Sequence, residues 1–302
     1  MRKLVLLVAL SIPCLAFAQD VKDGTDTTET RPPRESRDPE GKRSIGFAST
    51  VGLTGMRDLI DARVPSTINV RGMIRFDNES LNLDSASQSH SLDTYDLDLI
   101  AGASLLGMLD AGFHLPLQYR VVRDALHGGP SRRISADGVS DAEISGKVGF
   151  ALGPWISIGP YATLHWNTGS SLLDKTNELR LGGCGTLSFL DDRVAAHVNF
   201  TNINYDGGKW ALGYRLGASV VPLLSDFLLL RVFVYLDGKD FIGTRVQGND
   251  TRIFGGVQAL FFKFVTAEFS MGWKIYNGDL PVFVHDVSTY GIDVGGGVSF
   301  SF

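Results

Sequence analysis

The last stretch of the chain, Tyr290 to Phe302, reads YGIDVGGGVSFSF and sets the pattern that earlier segments repeat. Apolar and polar residues alternate along it with a strict period of two. One set consists of Tyr290, Ile292, Val294, Val298, Phe300 and Phe302. The other set consists of Gly291, Asp293, Gly295, Gly297, Ser299 and Ser301. Because successive side chains of a strand point to opposite faces, this stretch predicts a β-strand with one apolar and one polar face.

This stretch also resembles the closing strand of bacterial outer-membrane β-barrels. That family ends in the pattern polar-x-Gly-x-x-aromatic-x-aromatic, whose terminal aromatic is read by the assembly machinery. Gly297, Phe300 and Phe302 match the pattern, whereas Gly295 stands where a polar residue is usual. The resemblance implies that these three residues form an assembly signal. It also implies that outer-membrane lipid and the barrel-assembly machinery are partners of the protein.

The bulk composition agrees with a barrel. The chain has 302 residues, of which 44% are hydrophobic and 35 are glycine, and its mean hydropathy is +0.07. Beyond the first 18 residues it lacks the run of about 18 apolar residues that a transmembrane helix requires. A barrel strand dilutes apolar residues with polar ones, so near-neutral hydropathy is expected for it. The formal charge of −5 gives no basic excess for binding nucleic acid.

The first 18 residues have the three parts of a secretory signal peptide. Arg2 and Lys3 supply the positive charge, residues 4–15 the apolar core, and Ala16-Phe17-Ala18 the cleavage site. Cys14 suggests a lipoprotein as an alternative, but Pro13 stands before it where a small residue is needed. Export to a Gram-negative envelope, with cleavage before Gln19, is therefore predicted.

Two segments separate the leader from the barrel. Residues 19–44 are rich in Asp, Thr, Glu, Arg and Pro with almost no apolar residues, which predicts a disordered periplasmic linker. Residues 45–66 mix a strand-like part with a short amphipathic part. They are expected either to lie under the barrel in the periplasm or to enter it as a small plug. The outer-membrane β-barrel itself is predicted over residues 67–302.

Alternation over this region predicts an all-β, antiparallel up-and-down barrel of about 12 transmembrane strands. The predicted strands are 67–77, 92–105, 108–120, 139–151, 154–166, 177–189, 193–203, 209–221, 227–236, 251–262, 264–276 and 290–302. Long polar connections are predicted at 78–91, 121–138, 167–176, 237–250 and 277–289, alternating with short turns. Outer-membrane barrels have short periplasmic turns and longer outer loops, so both termini are expected in the periplasm.

A secreted β-sandwich or soluble barrel also has one apolar face per strand. Three features favour the membrane: isolated charges among Gly and Ser on the polar faces, unequal loops at the two ends, and aromatic residues near strand ends. Pro116 and Pro160 each remove a backbone donor from a strand and are expected to mark bulges or open ladder positions.

A second resemblance covers short motifs over about a third of the chain. Residues 136–150, ADGVSDAEISGKVGF, resemble the Gly-x-x-Asp-x-x-x-x-x-Lys-x-x-aromatic strand of porin-like transporters related to the phenol-degradation (meta-pathway) outer-membrane family. Gly138, Asp141, Lys147 and Phe150 match it. Residues 115–120, LPLQYR, resemble the strand that precedes it there. The resemblance implies a transport-type barrel and leaves the solute open.

The polar faces supply the candidate pore-lining residues. They are Arg71, Arg75, Asp96, Asp98, Asp110, His114, Arg120, Glu143, Lys147, Glu178, Arg180, Arg193, His197, Arg215, Arg231, Arg252, Glu268, Lys274 and Asp293. One interpretation is a charged constriction that selects small solutes. The other is a set of ion pairs that fills a narrow interior, which the near balance of signs favours slightly.

No catalytic, cofactor or metal site is predicted. His114, His165 and His197 share the polar faces with several serines, but no spacing selects a nucleophile–base set. No calcium-loop spacing occurs in the acidic loops. The protein is therefore expected to be a barrel without enzymatic activity.

Two functions remain open at the level of the sequence. The first is a passive or weakly selective pore for small hydrophilic solutes. The alternative is a structural anchor within an envelope-spanning machine for motility, secretion or surface-polymer export, with periplasmic or outer-membrane protein partners.

Overall fold

We analysed a computed structural model of the chain. It describes residues 49, 53, 55–57, 59–64, 69–84, 88–126, 131–169, 177–190, 193–205, 209–225, 227–242, 248–262, 264–278 and 288–301. The predicted leader 1–18, the predicted linker 19–44 and Phe302 lie outside these residues.

The described part of the chain forms strands joined by turns. Two short strands come first, β1 (Gly55–Met56) and β2 (Leu59–Ile60), which pair only with each other. The remaining strands are β3 (Asn69–Asp84), β4 (Gln88–Leu105), β5 (Leu109–Leu126), β6 (Ser131–Val139), β7 (Ala142–Val148), β8 (Phe150–Ala151), β9 (Ile156–Trp166), β10 (Glu178–Phe189), β11 (Val194–Tyr205), β12 (Lys209–Leu224), β13 (Leu228–Ile242), β14 (Gly248–Phe261), β15 (Val265–Gly278) and β16 (Ser288–Ser301).

Strands β3 to β16 close into one antiparallel barrel. The last strand pairs with the first, from Ser288 opposite Asp84 to Ser301 opposite Arg71. We call each strand position around the barrel a stave. Strands β6, β7 and β8 are successive pieces of a single stave between β5 and β9. The barrel therefore has twelve staves, as predicted. Closure leaves no sheet edge, which is the condition for a sheet to lie in hydrocarbon.

The barrel has polar side chains inside and apolar side chains outside, the reverse of a soluble protein. Along β3, Arg71 and Arg75 are 1% and 0% exposed, whereas Ile74 and Phe76 are 57% and 52% exposed. The same contrast holds around the barrel, with outward Leu, Val, Ile and Phe on every stave. Removing one such side chain from water is worth roughly 1.5–3 kcal/mol. This apolar exterior therefore requires lipid around it.

The strands run farther than predicted at one end. The predicted loop 78–91 belongs largely to β3 and β4, and the predicted loop 121–138 to β5 and β6. The predicted loop 237–250 likewise contains the end of β13 and the start of β14. The outward face of these extensions includes polar side chains. On their outward face, Asp93 accepts from Ser80 at 2.5 Å and pairs with Arg123 at 3.1 Å. Ladder hydrogen bonds and polar pairs hold them where alternation gives no signal.

Smaller differences occur at the opposite end. The predicted short turns at 106–107 and 152–153 are confirmed, whereas residues 191–192 of the predicted turn 190–192 lie outside the described residues. The predicted turn 222–226 is wrong at its start, because β12 continues to Leu224 through a register shift between Val220 and Leu223.

Both prolines mark breaks in the ladder, as predicted. At Pro116, strand β5 changes partner from β7 to β6, and the Pro116 carbonyl accepts from Ser140 N at 2.9 Å. Pro160 faces the gap between the end of β7 and β8, where β9 pairs with neither. A residue without an N–H can be tolerated at such positions because no ladder bond is lost.

Within the part of the chain that the structure describes, no helix has the length and apolar character needed to cross a bilayer.

The barrel interior as candidate functional site

Most of the predicted pore-lining residues do point into the barrel. Those with buried side chains are Arg71, Arg75, Asp98, Asp110, His114, Glu143, Lys147, Glu178, His197, Arg231, Glu268 and Asp293. Those that are partly exposed are Asp96, Arg120, Arg180, Arg215 and Arg252. The interior is therefore charged on all sides, but much of that charge is removed from water.

Four predicted positions need separate mention. Arg193 was expected in the interior, but it lies in the turn before β11 and is exposed, because β11 begins only at Val194. Lys274 lies in β15 opposite Arg252 and Gly291, and its side chain is outside the described part of the structure. In the predicted assembly signal, Gly297 and Phe300 lie in β16, and the Phe300 side chain is on the outward face, 47% exposed.

Near the short-turn end of the barrel, inward charges form compact pairs. The Asp110 carboxylate receives Arg71 at 2.5 Å and Lys147 at 3.2 Å. Arg75 reaches Glu268 at 2.5 Å, and Gln258 donates to the other oxygen of Glu268 at 2.6 Å. Each of these carboxylates is thus paired with at least one cation, and such pairing allows inward charges to be buried away from water.

A second cluster crosses four staves halfway up the wall. Its members alternate between carboxylates and imidazoles in the order Asp98, His114, Glu143, His165 and Asp141. The four contacts measure 2.9, 3.2, 3.0 and 3.2 Å. Each histidine thus has a carboxylate oxygen at both ring nitrogens. A neutral imidazole has one donor only, so two ionised carboxylates can both accept from the same ring only when that ring carries two protons.

Within this cluster Glu143 is the shared member. Its Oε2 faces His114, and its Oε1 faces both His165 and Arg180, with the Arg180 contact at 3.0 Å. Arg180 also reaches Glu178 at 2.8 Å. The sequence identified most of these residues, but it could not indicate that they meet on one side of the barrel.

The interior also contains a piece of the chain that precedes the barrel. The described residues from Ser49 to Val64, which we call the inner segment, lie within it, and all but Arg63 are buried. Their backbone pairs with no barrel strand, since β1 and β2 form a separate two-stranded sheet. Of the two placements considered for residues 45–66, the described part adopts the one inside the barrel.

Arg57 is the most strongly held residue of the inner segment. Its guanidinium donates to Ser270 at 2.5 Å and pairs with Asp293 at 2.5 Å and Asp77 at 3.0 Å. The same group lies 4.7 Å from the centre of the Phe254 ring. These partners come from β3, β14, β15 and β16. A single side chain therefore connects the inner segment to four neighbouring staves.

Gly295 makes room for this contact. A Cβ built on Gly295 would overlap the Asp77 carboxylate and lie 2.7 Å from Arg57 Nη1. This close approach explains why glycine stands where the outer-membrane pattern usually has a polar residue.

A second group of contacts holds the far end of the inner segment. Asn199 accepts from Ile60 N and donates to Ile60 O, both at 2.8 Å. Thr186 accepts from Ala62 N at 3.0 Å, and Lys147 donates to Asp61 O at 2.5 Å. Side chains of the wall thus replace the backbone partners that a strand would have in a sheet.

Asp61 is buried within this second group. Its carboxylate receives Arg63 Nη2 at 2.5 Å and Thr186 Oγ1 at 3.0 Å. Burial alone would raise the pKa of the Asp61 carboxyl, but the Arg63 guanidinium outweighs it and holds that pKa well below its usual range. Asp61 is therefore a carboxylate at any physiological pH.

Apolar side chains of the inner segment rest on two apolar areas of the wall. Met56 and Leu59 pack against Phe233, Tyr235 and Phe254. The Tyr235 and Phe254 rings stack with their centres 5.0 Å apart. Leu53, Ile60 and Ala62 form the other cluster, with Tyr161 and Cys184. The wall is therefore aromatic as well as charged.

Sequence reasoning missed these aromatic contacts. Phe233, Tyr235 and Phe254 alternate in phase with the polar residues of β13 and β14, so they lie on the inward face. That phase is the sequence signal from which their inward position could have been predicted. The rings fit because inward glycines lie beside them. A Cβ on Gly256 would overlap the Phe233 ring, and one on Gly272 the Phe254 ring.

The interior also contains a Ser–His contact. His197 Nε2 lies 3.1 Å from Ser219 Oγ, and its Nδ1 lies 3.2 Å from Thr186 Oγ1. Both Ser219 and His197 are buried, at 4% and 3% exposure, and the third partner is a hydroxyl rather than a carboxylate. This arrangement lacks the oriented base of a hydrolytic triad. Among the described residues, no group of His, Cys, Asp and Glu is arranged to hold a metal ion.

Comparisons with known proteins agree with this architecture. An outer membrane channel from Pseudomonas putida F1 superposes with a TM-score of 0.55 at 13% identity, over 82% of this chain and 100% of that one. The fold is that of a bacterial outer-membrane β-barrel. The β domain of the Bordetella autotransporter BrkA gives a TM-score of 0.49 at 12% identity, over 78% and 100% of the two chains. The monoaromatic hydrocarbon channel CymD gives 0.45 at 13%, over 78% and 88%.

The TM-scores of the last two structures are too low to support any inference about this barrel. No protein-family model and no curated protein matches the chain. The similarity therefore establishes the fold, and what the barrel does has to be argued from its interior.

Proposed function

We propose that this outer-membrane barrel is a passive or weakly selective pore for small hydrophilic solutes, narrowed by the inner segment. The observation that carries the proposal is the interior itself. Twelve staves enclose polar and charged side chains of both signs, the kind of lining that a pore for hydrophilic solutes has. The structural neighbour from Pseudomonas putida is described as an outer membrane channel, which is consistent with this proposal.

The inner segment limits what such a pore can pass. It lies between the two apolar areas of the wall and is bound at both ends, by Arg57 and by Asp61 with Ile60. We therefore expect small and flickering currents from the complete protein and much larger currents once the segment is removed.

Planar-bilayer recording tests this proposal. The complete mature chain and a variant that lacks residues 45–64 are reconstituted, and single-channel conductance is compared. Conductance steps that grow on removal of the segment would support a pore. Failure of both folded proteins to conduct would refute it.

The orientation of the barrel is part of the same proposal. The described connections at the Leu106 end are tight, whereas the other end bears the polar extensions of β3 to β6. Periplasmic turns of such barrels are short, so we propose that both termini lie in the periplasm. An epitope inserted within residues 243–247 should bind antibody on intact cells, and one inserted at residue 191 only after the outer membrane is permeabilised. The reverse pattern would contradict this orientation.

One observation favours a different function. The interior is occupied and its charges are paired, as in a barrel that serves as a structural anchor for an envelope-spanning machine. In that case the polar linker predicted at 19–44 would bind a periplasmic partner. Co-purification with and without residues 19–44 tests this alternative, and an unchanged set of partners would count against it.

A further inference from the structure

We propose that the wall of the barrel is a binding site for a short polypeptide hairpin, and that the inner segment occupies it as a removable ligand of the chain's own sequence. This goes beyond the proposed pore, because such a site exists whether or not the barrel conducts.

The first argument is that the barrel is complete without its ligand. Every stave pairs on both sides with barrel strands, and β1 and β2 contribute no ladder bond to any of them. Withdrawal of the inner segment therefore breaks side-chain contacts but leaves the closed ladder intact. In hydrocarbon that ladder is what holds the fold together.

The second argument is that the wall recognises peptide backbone. Asn199 holds both polar backbone atoms of Ile60, Thr186 holds Ala62 N, and Lys147 holds Asp61 O. Contacts of this kind bind main-chain atoms whatever the side chains are, and main-chain hydrogen bonds are a general basis of peptide binding.

The third argument is that sequence selectivity is added by two anchors. Arg57 enters a site made by Asp77, Asp293, Ser270 and the Phe254 ring. The aromatic cluster of Phe233, Tyr235 and Phe254 receives Met56 and Leu59. An anchored cation beside apolar anchors is typical of the few residues that dominate binding at an interface.

The fourth argument concerns occupancy. Only residues 65–68 join Val64 to the first residue of β3, so the ligand is tethered close to its site. A short tether gives an effective concentration of about millimolar, so even modest intrinsic affinity keeps the site filled. Arg57 also has a φ of 43°, in the left-handed region that non-glycine residues avoid. Arg57 stands in the tight connection between β1 and β2, where a hairpin uses such a φ.

The native Cys184 reports on the equilibrium between the bound and released inner segment, so no cysteine has to be introduced. It is buried at 5% exposure beneath Leu53, Ile60 and Ala62. The other cysteine, Cys14, belongs to the predicted leader. Labelling of the folded mature protein by a small charged maleimide therefore measures how often the inner segment leaves the wall.

The experiment compares the complete mature protein with its Arg57→Glu variant in detergent, with Arg193→Ala as a control at an exposed turn. Arg57→Glu places a carboxylate between Asp77 and Asp293, so the Cys184 labelling rate should rise at least about tenfold, in proportion to the released population. A synthetic peptide of residues 45–66 with the native Arg57 should return the rate to the control level. Peptide in which Arg57 is replaced by Glu should not.

Gly295→Ser provides a second variant that acts from the wall. It restores the polar residue that the outer-membrane pattern expects, so the barrel should fold, yet its side chain occupies the space of Asp77 and Arg57. Heat-dependent gel migration verifies folding of each variant. Unchanged Cys184 labelling in both folded variants would overturn the proposal, as would labelling that rises but is not reduced by the native peptide.

The result is separable from the fate of the pore. Protection of Cys184 by added peptide in a barrel that never conducts would sustain the peptide site and remove the proposed pore. Conduction through a barrel in which the peptide cannot protect Cys184 would support the pore and overturn the peptide site.

Discussion

At the residue scale, Glu143 is an interior carboxylate that two histidines and an arginine share. His114, His165 and Arg180 all reach its two oxygens. Removal of one partner from a buried charged group leaves the remaining charges uncompensated, which typically costs about 3–5 kcal/mol.

Glu143→Gln should therefore lower the free energy of unfolding at neutral pH by about 3–5 kcal/mol, since a neutral amide replaces the acceptor of three cationic groups. Guanidinium-induced unfolding of the reconstituted barrel, followed by tryptophan fluorescence, measures this. The matched control is Arg123→Gln, which removes a pair whose cation is 53% exposed and should change the same quantity by no more than about 1 kcal/mol. Equal effects of the two substitutions would contradict the role given to Glu143.

The sequence identified inward charges well at this scale, because period-two alternation fixes which face a residue occupies. It could not pair them, because partners such as Arg75 and Glu268 lie far apart in the chain and meet only when the barrel closes. It missed Phe233 and Phe254 for a related reason. An aromatic residue on a polar face is tolerated here because glycines of neighbouring strands accept the rings, and that proximity cannot be read from one strand.

At the element scale, the strands have two sections with different environments. The outward face of β3 is apolar at Ile74 and Phe76 and polar at Ser80, where Asp93 accepts its hydroxyl. The sequence predicted the first section and assigned the second to a loop, since a strand with polar residues on both faces has no alternation to detect. Alternation made nearly every stave predictable. Where alternation stops, the upper end of the stave could not be predicted.

Two substitutions on this one face should separate the sections. Ile74→Arg puts a cation into the lipid-facing section and should lower the free energy of unfolding in lipid by about 2–4 kcal/mol. Ser80→Arg, six residues on, should cost less than about 1 kcal/mol, because water and Asp93 are available there. Urea titration in vesicles measures both. A cost for Ser80→Arg as large as that for Ile74→Arg would mean that lipid extends to the top of β3.

At the scale of the whole molecule, two properties follow from different information. The closed barrel is dictated by repeated alternation, since twelve two-faced strands in lipid have no other way to satisfy their backbone. The occupied interior is not, because residues 45–66 carry no pattern that states what they bind. Their placement depends on a surface assembled from β3, β7 and β9 to β16, and only the finished fold brings that surface together.

The position of Arg57 has a consequence for the order of assembly. Asp77 belongs to the first stave and Asp293 to the last, so its two carboxylate partners stand on opposite sides of the junction that completes the ring. Before β3 and β16 pair, Asp77 and Asp293 are not held next to each other. The complete site for the Arg57 guanidinium therefore forms only when the first and last strands pair and close the cylinder.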